Sequence, residues 1–341
     1  MAGKVNTVAG AISADDLGKT LMHEHFFFGY PGYYGNSGYP LDVDDLLKVS
    51  IETVKRIQAH GVKTVVDATP NDCGRDPELL KRISDATGLN IVCSTGYYYE
   101  GEGAPAYFKF KRSLGTAEEE IFEMFMKEIT EGIGNTGIKA GVIKLGTSKN
   151  EITEYEKMFF RAAARAQKET GVPIITHTQE GTMGPEQAQL LISEGADPKK
   201  IQIGHMDGNT DIKYQVRTLE QGVFVAFDRI GLQGFVGAPM DSDRIVMLLG
   251  LIGAGYADQL MMSHDMVNYW LGKAPEWSDE MAELMKNWNM EHIFVNIIPQ
   301  LKEAGVTEET LNTILVKNPN RIFGGSEADK LQERAAKESR V

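Results

Sequence analysis

The 341-residue chain has only two cysteines, Cys73 and Cys93, too few for a disulfide framework and suited to a reducing compartment. A cytoplasmic home is expected. Basic residues are in deficit: 35 Lys and Arg against 48 Asp and Glu give a formal net charge of -13, which argues against a polyanionic nucleic-acid partner. No stretch approaches 18 uncharged apolar residues, and the N-terminal MAGKVNTVAGAIS lacks an apolar run long enough for a signal peptide. Membrane spanning and secretion are therefore not expected. There is no P-loop, and no glycine-rich phosphate loop follows an early strand, as a doubly wound nucleotide-binding sheet would usually show.

What is present is ample core material, with 42% hydrophobic and 24% charged residues, and a unit repeated along the chain. An amphipathic helical stretch leads, often through a glycine, into a short β-branched run that ends in polar residues. Five copies carry the glycine: Gly61-VKTVVDAT, Gly88-LNIVCSTG, Gly137-IKAGVIKLG, Gly171-VPIITHTQ and Gly222-VFVAFDR. Ile201-QIGHMD, Gln259-LMMSHD and Lys19-TLMHEH follow the plan without it. Glycine at that place predicts a left-handed residue ending each helix. Helices are expected over 42–60, 116–132, 154–170, 185–194 and 241–254, where apolar residues recur at three- and four-residue spacing.

Eight strands separated by helices call for parallel pairing and right-handed crossovers, and they close most naturally into a (β/α)8 TIM barrel. We therefore expect one α/β domain over residues 1–325 with elaborated βα loops, and a charged tail over 326–341. Segments 26–40, rich in glycine and aromatics, and 266–289 depart from the repeat and should lie on the C-terminal face, where such barrels build their sites.

The polar residues that end the runs form a set. His23 and His25 end the first, Lys144 the fourth, His177 the fifth, His205 the sixth and Asp265 the eighth. Residues i and i+2 of a strand share a face, so His23 and His25 can chelate one ion while Glu24 points away. Four of the seven histidines fall at strand ends, and imidazole with carboxylate is the usual donor set for Zn²⁺ and similar ions. His60 and His292 sit in helical stretches and are given surface or packing roles; His264, facing opposite to Asp265, is given a structural hydrogen bond. A lysine ammonium beside metal ions would be repelled and costly to desolvate, so Lys144 should be deprotonated or chemically altered, for example by carboxylation with CO₂.

These motifs together, His-Glu-His, GVIKLG around Lys144, ITHTQEGTMG around His177, IGHMDGNTD around His205 and MSHD ending at Asp265, resemble the phosphotriesterase family of the amidohydrolase superfamily, which includes phosphotriesterase-like lactonases. The match runs from VNTVAGAISADDLGKTLMHEH to NPNRIF at 318–323. The resemblance implies two divalent metal ions, Zn²⁺ or else Co²⁺, Mn²⁺ or Fe²⁺. By similarity His23, His25 and Asp265 hold the more buried ion and His177 and His205 the more exposed one, with a carboxylated Lys144 and a hydroxide bridging them. Two cations lower the pKa of shared water, and Asp265 would accept its proton as the catalytic base. Tyr98 and Arg229 match residues that line the substrate cavity in lactonase relatives, and the family often forms homodimers.

One position departs from the family pattern. Many relatives have a proton-relay aspartate three residues after the sixth-strand histidine; here it is Gly208, and Asp207, read as facing the same side as His205, is the candidate replacement. The aromatic residues Tyr269, Trp270, Trp277 and Trp288 of the eighth loop suggest an apolar pocket. The leading expectation is a metal-dependent hydrolase of neutral lactones or carboxylic esters with promiscuous phosphotriesterase activity. The alternatives are an amide hydrolase or deaminase with a single metal, and a non-catalytic metal-binding barrel.

Overall fold

The computed structural model describes residues 3–235 and 237–324, so the charged tail expected over 326–341 lies outside the described residues. Ten strands are present among them. The first two, β1 (Lys4–Thr7) and β2 (Gly10–Ser13), pair antiparallel. The remaining eight are β3 (Lys19–Glu24), β4 (Val62–Asp67), β5 (Asn90–Gly96), β6 (Val142–Thr147), β7 (Ile174–Thr178), β8 (Ile201–Ile203), β9 (Phe224–Phe227) and β10 (Leu260–Met262). Each of these pairs in parallel with the next in chain order, giving the (β/α)8 barrel in a single domain.

Closure of the ring between β10 and β3 uses residues just past the strands. Asp265 N donates to His23 O at 3.1 Å, His25 N to Met266 O at 3.0 Å and Asn268 N to His25 O at 2.9 Å. The Glu24 carboxylate staples the same seam, accepting from Ser263 Oγ at 3.0 Å, His264 N at 3.0 Å, His264 Nδ1 at 2.7 Å and Met266 N at 3.0 Å. Glu24 thus points away from the mouth, as its place between two histidines requires, and His264 makes the structural bond expected of it.

Local chemistry explains the crossovers. Asp42 caps the helix Val43–Ala59, Asp76 caps Pro77–Thr87, and Thr153 forms a capping box with Glu156 at the start of Glu154–Thr170. Gly61, Gly88, Gly137, Gly171 and Gly222 all adopt positive φ, between 70° and 85°; all but Gly137, which lies in the loop after the helix Ala117–Thr130, follow a helix end as the repeat predicted. Strand alternation splits the core in two. Val65, Ile91, Ile143, Ile174, Ile201, Ile203 and Val225 face the helices, whereas Met22, Val66, Val92, Val142, Ile175, Phe224, Ala226 and Met261 fill the barrel interior. Each fully buried Val, Ile, Phe or Met among them contributes roughly 1.5–3 kcal/mol over its exposed state.

The β1–β2 hairpin has no counterpart in the repeat. Val5, Ala14 and Leu17 join Ile322 and Phe323 of the last helix against the interior cluster, sealing the end of the barrel opposite the strand C-termini. The site therefore opens at the other end, where the βα loops lie.

Candidate active site

Lys144 and His177 leave adjacent strands, β6 and β7, and His23 leaves β3, so the sheet itself aims them at the mouth. Gly96 makes room: its φ is 137°, and a Cβ there would lie 1.8 Å from Lys144 O. His25 directly follows β3 in a parallel bridge to Val267, and the other two residues arrive through turns. β8 ends at Ile203, and His205 follows in the left-handed region at φ 56°; β10 ends at Met262, and Asp265 follows at φ 51°. Non-glycine residues held in that region cost of order 1–3 kcal/mol each and cluster at functional sites.

All six residues converge. His23 Nε2 lies 2.8 Å from Lys144 Nζ and 3.3 Å from Asp265 Oδ1; His25 Nε2 lies 3.0 Å from Asp265 Oδ1; His205 Nε2 lies 3.6 Å from Asp265 Oδ2. Ring centroids of His177 and His205 stand 4.6 Å apart, and Tyr99 stacks on His177 at 5.1 Å. Ligand atoms of His23, His25 and Asp265 lie within 4.8 Å of one another, as a shared cation requires.

The opposite nitrogen of each imidazole is already committed, which tells which one is left to ligate. His23 Nδ1 and His205 Nδ1 share one carboxylate, Asp228, at 2.7 and 2.9 Å, and His205 N donates to it as well at 2.6 Å. His25 Nδ1 donates to Thr69 Oγ1 at 2.8 Å, whose own proton goes to Phe27 O. These three histidines keep Nε2 free of protons. His177 is reversed: its Nε2 donates to Gln179 Oε1 at 2.8 Å, leaving Nδ1. The donor set, with each ligating nitrogen unprotonated and turned to the mouth, fits divalent cations.

Electrostatics agree. Burial pushes His23, His177 and His205 below the ordinary imidazole value, and the nearby cations Lys144 and Arg229 add to it, so all three are neutral at pH 7. Burial lowers Lys144 to about 8, against the pull of Asp265 and Asp228. Burial would raise Asp265, but the surrounding histidines and Arg229 hold it well below the usual carboxylate range. Because His23 and His205 are uncharged at neutral pH, the Arg229 guanidinium is the effect that persists.

Over this polar base stands a cavity of about 230 Å³. Arg229 lines it, with Nε 3.0 Å from Asp265 Oδ2, and so does Tyr98, packed edge-on to His177. Its apolar walls come from the two long loops: Phe28 and Tyr30 from the first, Trp270, Trp277 and Trp288 from the eighth, and Phe235 against Trp277. Tyr269 instead packs against the main core. A larger cleft of about 760 Å³ opens between the first loop and residues 100–106, but none of the six convergent residues lines it.

Asp207 is not where alternation placed it. Because the strand ends at Ile203 and the chain turns at His205, Asp207 lies in a one-turn helix, buried, and accepts from Arg244 Nε at 2.7 Å and Arg229 N at 3.1 Å. It has no bond to Asp265. The relay position itself is tight: a Cβ on Gly208 would stand 3.0 Å from Gly181 N and 3.2 Å from Glu180 C, where two loops meet backbone to backbone and would have to give by a few tenths of an ångström. His60 stacks on Phe294 and His292 bonds Asp241, both away from the mouth. The sequence reading passed over Thr69, Gln179 and Asp228 as partners of the histidines. Their only signal was a polar side chain within two residues of a strand end.

Comparison with known proteins agrees with this geometry. The model of the phosphotriesterase family matches residues 3–323. The chain belongs to that family. An organophosphorus hydrolase from Deinococcus radiodurans is 55% identical, with a TM-score of 0.93 over 95% of this chain and 99% of that one. An aryldialkylphosphatase from Saccharolobus solfataricus is 37% identical, covering 92% of this chain and 97% of the relative. A phospho-furanose lactonase from Mycoplasmopsis agalactiae is 31% identical, covering 95% and 92%. This phosphotriesterase-family protein is accordingly a metal-dependent hydrolase acting on ester bonds. No helix among its described residues is long and apolar enough to cross a membrane, and both cysteines are free and buried.

Proposed function

We propose that this hydrolase opens lactones and cleaves carboxylic esters with two divalent cations, and that neutral phosphotriesters are promiscuous substrates. The observation that carries the reading is the base of the cavity, where four imidazoles, Lys144 and Asp265 meet beneath aromatic walls. His23, His25 and Asp265 would hold one ion, His177 and His205 the other, and a carboxylated Lys144 would serve both; Zn²⁺ suits these donors best, with Co²⁺, Mn²⁺ or Fe²⁺ also acceptable. When bound, the ions supply the acidity that makes water nucleophilic at neutral pH and the charge that polarises the oxygen under attack.

The chain's own residues do the rest. Asp265 takes the proton of the attacking water at a carboxylate oxygen and returns it to the departing alkoxide. In a lactone that alkoxide stays tethered, so one carboxylate suffices without the relay that Gly208 excludes. Arg229, fixed through Nε, has its outer guanidinium nitrogens left for a substrate oxygen, and Tyr98 with the tryptophans excludes water from the reacting end. A net charge of -13 disfavours anionic substrates and leaves neutral ones the better fit.

The exposed residues Tyr30, Tyr34, Tyr39 and Leu41 of the first loop, with Tyr107, Phe110 and Leu114, give the surface an apolar character that suits a homodimer contact, to be read by sedimentation. The deciding experiment reconstitutes the protein with Zn²⁺, Co²⁺ or Mn²⁺, counts the metal, and assays γ- and δ-lactones, aryl esters and paraoxon. Absence of metal-dependent turnover of all of them would sink the proposal. One ion per chain with unmodified Lys144 would favour the amide-hydrolase or deaminase alternative.

A further inference from the structure

Arg244 is the largest fully buried side chain of the described residues, with 1% exposure, and nothing in the chemistry above uses it. It lies on the helix Asp241–Gly253, behind the loop that carries Arg229 into the cavity. Each of its three guanidinium nitrogens is engaged: Nε to Asp207 Oδ2 at 2.7 Å, Nη1 to Asp241 Oδ1 at 2.8 Å and Nη2 to Leu232 O at 2.7 Å. The two carboxylates it grips then hold the same loop. Asp207 Oδ2 accepts from Arg229 N at 3.1 Å, and Asp241 Oδ1 accepts from Gly231 N at 3.0 Å.

Three backbone points within four residues are thereby tied to one guanidinium. The network is anchored on the far side by His292, whose Nε2 meets Asp241 Oδ2 at 2.8 Å and whose Nδ1 meets Asn296 Nδ2 at 2.8 Å. On its other flank the loop is pressed against the eighth loop: Gly231 has φ 94°, and a Cβ there would lie 2.6 Å from Asn287 O. The side chains that this backbone projects into the cavity are Arg229, Leu232 and Phe235.

We propose that Arg244 is a positioning residue for substrate selection: through Asp207 and Asp241 it sets the height of the 229–232 backbone, and hence where the Arg229 guanidinium and the Leu232 side chain meet a substrate. Lysine cannot replace it, because a single ammonium lacks the planar fork that reaches two carboxylates and a carbonyl at once. The inference rests on the cavity being the substrate site, but its first consequence is independent of any turnover.

The test uses Arg244→Lys and Asp241→Asn in the full-length, metal-loaded protein, with Arg244→Met as the harsher variant. Hydrogen exchange of the 229–233 segment should quicken by about tenfold or more in each variant while the barrel strands keep their protection. The ratio of kcat/KM for a bulky aryl ester to that for an unsubstituted γ-lactone should move by about fivefold or more, mainly through KM, at unchanged metal content. Equal losses on both substrates, or exchange at the wild-type rate in a folded variant, would overturn the assignment. Should Arg244→Lys fail to fold, Asp241→Asn, which keeps the shape and one acceptor oxygen, is read in its place. If the wild-type protein hydrolyses no ester at all, the proposed function fails, and the exchange measurement alone decides whether Arg244 holds the loop.

Discussion

Replacing Asp228 by asparagine should weaken one metal site selectively, and the geometry says which. The carboxylate serves three donors: His205 N at 2.6 Å and His205 Nδ1 at 2.9 Å on Oδ1, and His23 Nδ1 at 2.7 Å on Oδ2. An amide has one oxygen and one NH₂. The oxygen will remain on the side with two donors, so the NH₂ faces His23. That ring must then accept at Nδ1 and carry its proton on Nε2, the nitrogen turned to the mouth and proposed to ligate. Loss of such an outer partner typically costs 10–100-fold in metal affinity, or about 1.4–2.7 kcal/mol. The penalty should fall on the His23, His25 and Asp265 site, whereas Asp228→Ala should weaken both. Chelator-competition titration with metal counted in the same sample reads this out. In the Asp228→Asn background, adding His205→Ala should release the remaining ion, and adding His23→Ala should release none. Two ions bound at wild-type affinity in Asp228→Asn would refute the reasoning.

Other consequences follow from single contacts. Glu24→Gln removes the charge from a carboxylate accepting four hydrogen bonds across the β3–β10 seam and should cost about 1–3 kcal/mol of stability in denaturant titration, given the price of leaving buried donors unpaired; an unchanged midpoint would count against the staple. Gly208→Asp, which restores the residue type many relatives carry, should lower stability by about 1–3 kcal/mol through overpacking against Gly181, without raising kcat for paraoxon; a faster, equally stable variant would show that the loops can part. For Lys144 the sign is set by burial. Its folded value of about 8 lies below that of an unfolded lysine, so the metal-free protein carries a penalty below pH 8 that is relieved as pH rises through it. The neutral amine is also the form that captures CO₂. Reactivation of metal-free protein by Zn²⁺ with bicarbonate should therefore be faster at pH 8.5 than at pH 7, and a rate that is flat or falls with pH would contradict this.

Much of the fold was legible because its determinants are local. The glycines at 61, 88, 171 and 222 that follow the helix ends and the polar ends of β-branched runs act within a few residues, so chain order alone gave eight strands and the barrel. The hairpin over residues 4–13 was not legible. Its strands are four residues long, and their role is to plug the barrel floor against Ile322 and Phe323, a contact across the whole chain.

The site divides in the same way. Periodicity and strand ends marked His23, His25, Lys144, His177, His205 and Asp265, because a parallel barrel delivers every strand end to one mouth. Alternation failed at Asp207, since two residues past a strand that had already ended the chain turns through a positive φ and the side chain leaves for Arg244. Only the tertiary structure decided which nitrogen of each histidine is free, that Asp228 serves two of them at once, and that backbone packing at Gly181 crowds a side chain at position 208. These depend on groups brought together from distant parts of the chain, where burial and hydrogen-bond geometry, rather than residue type, fix what each group can do.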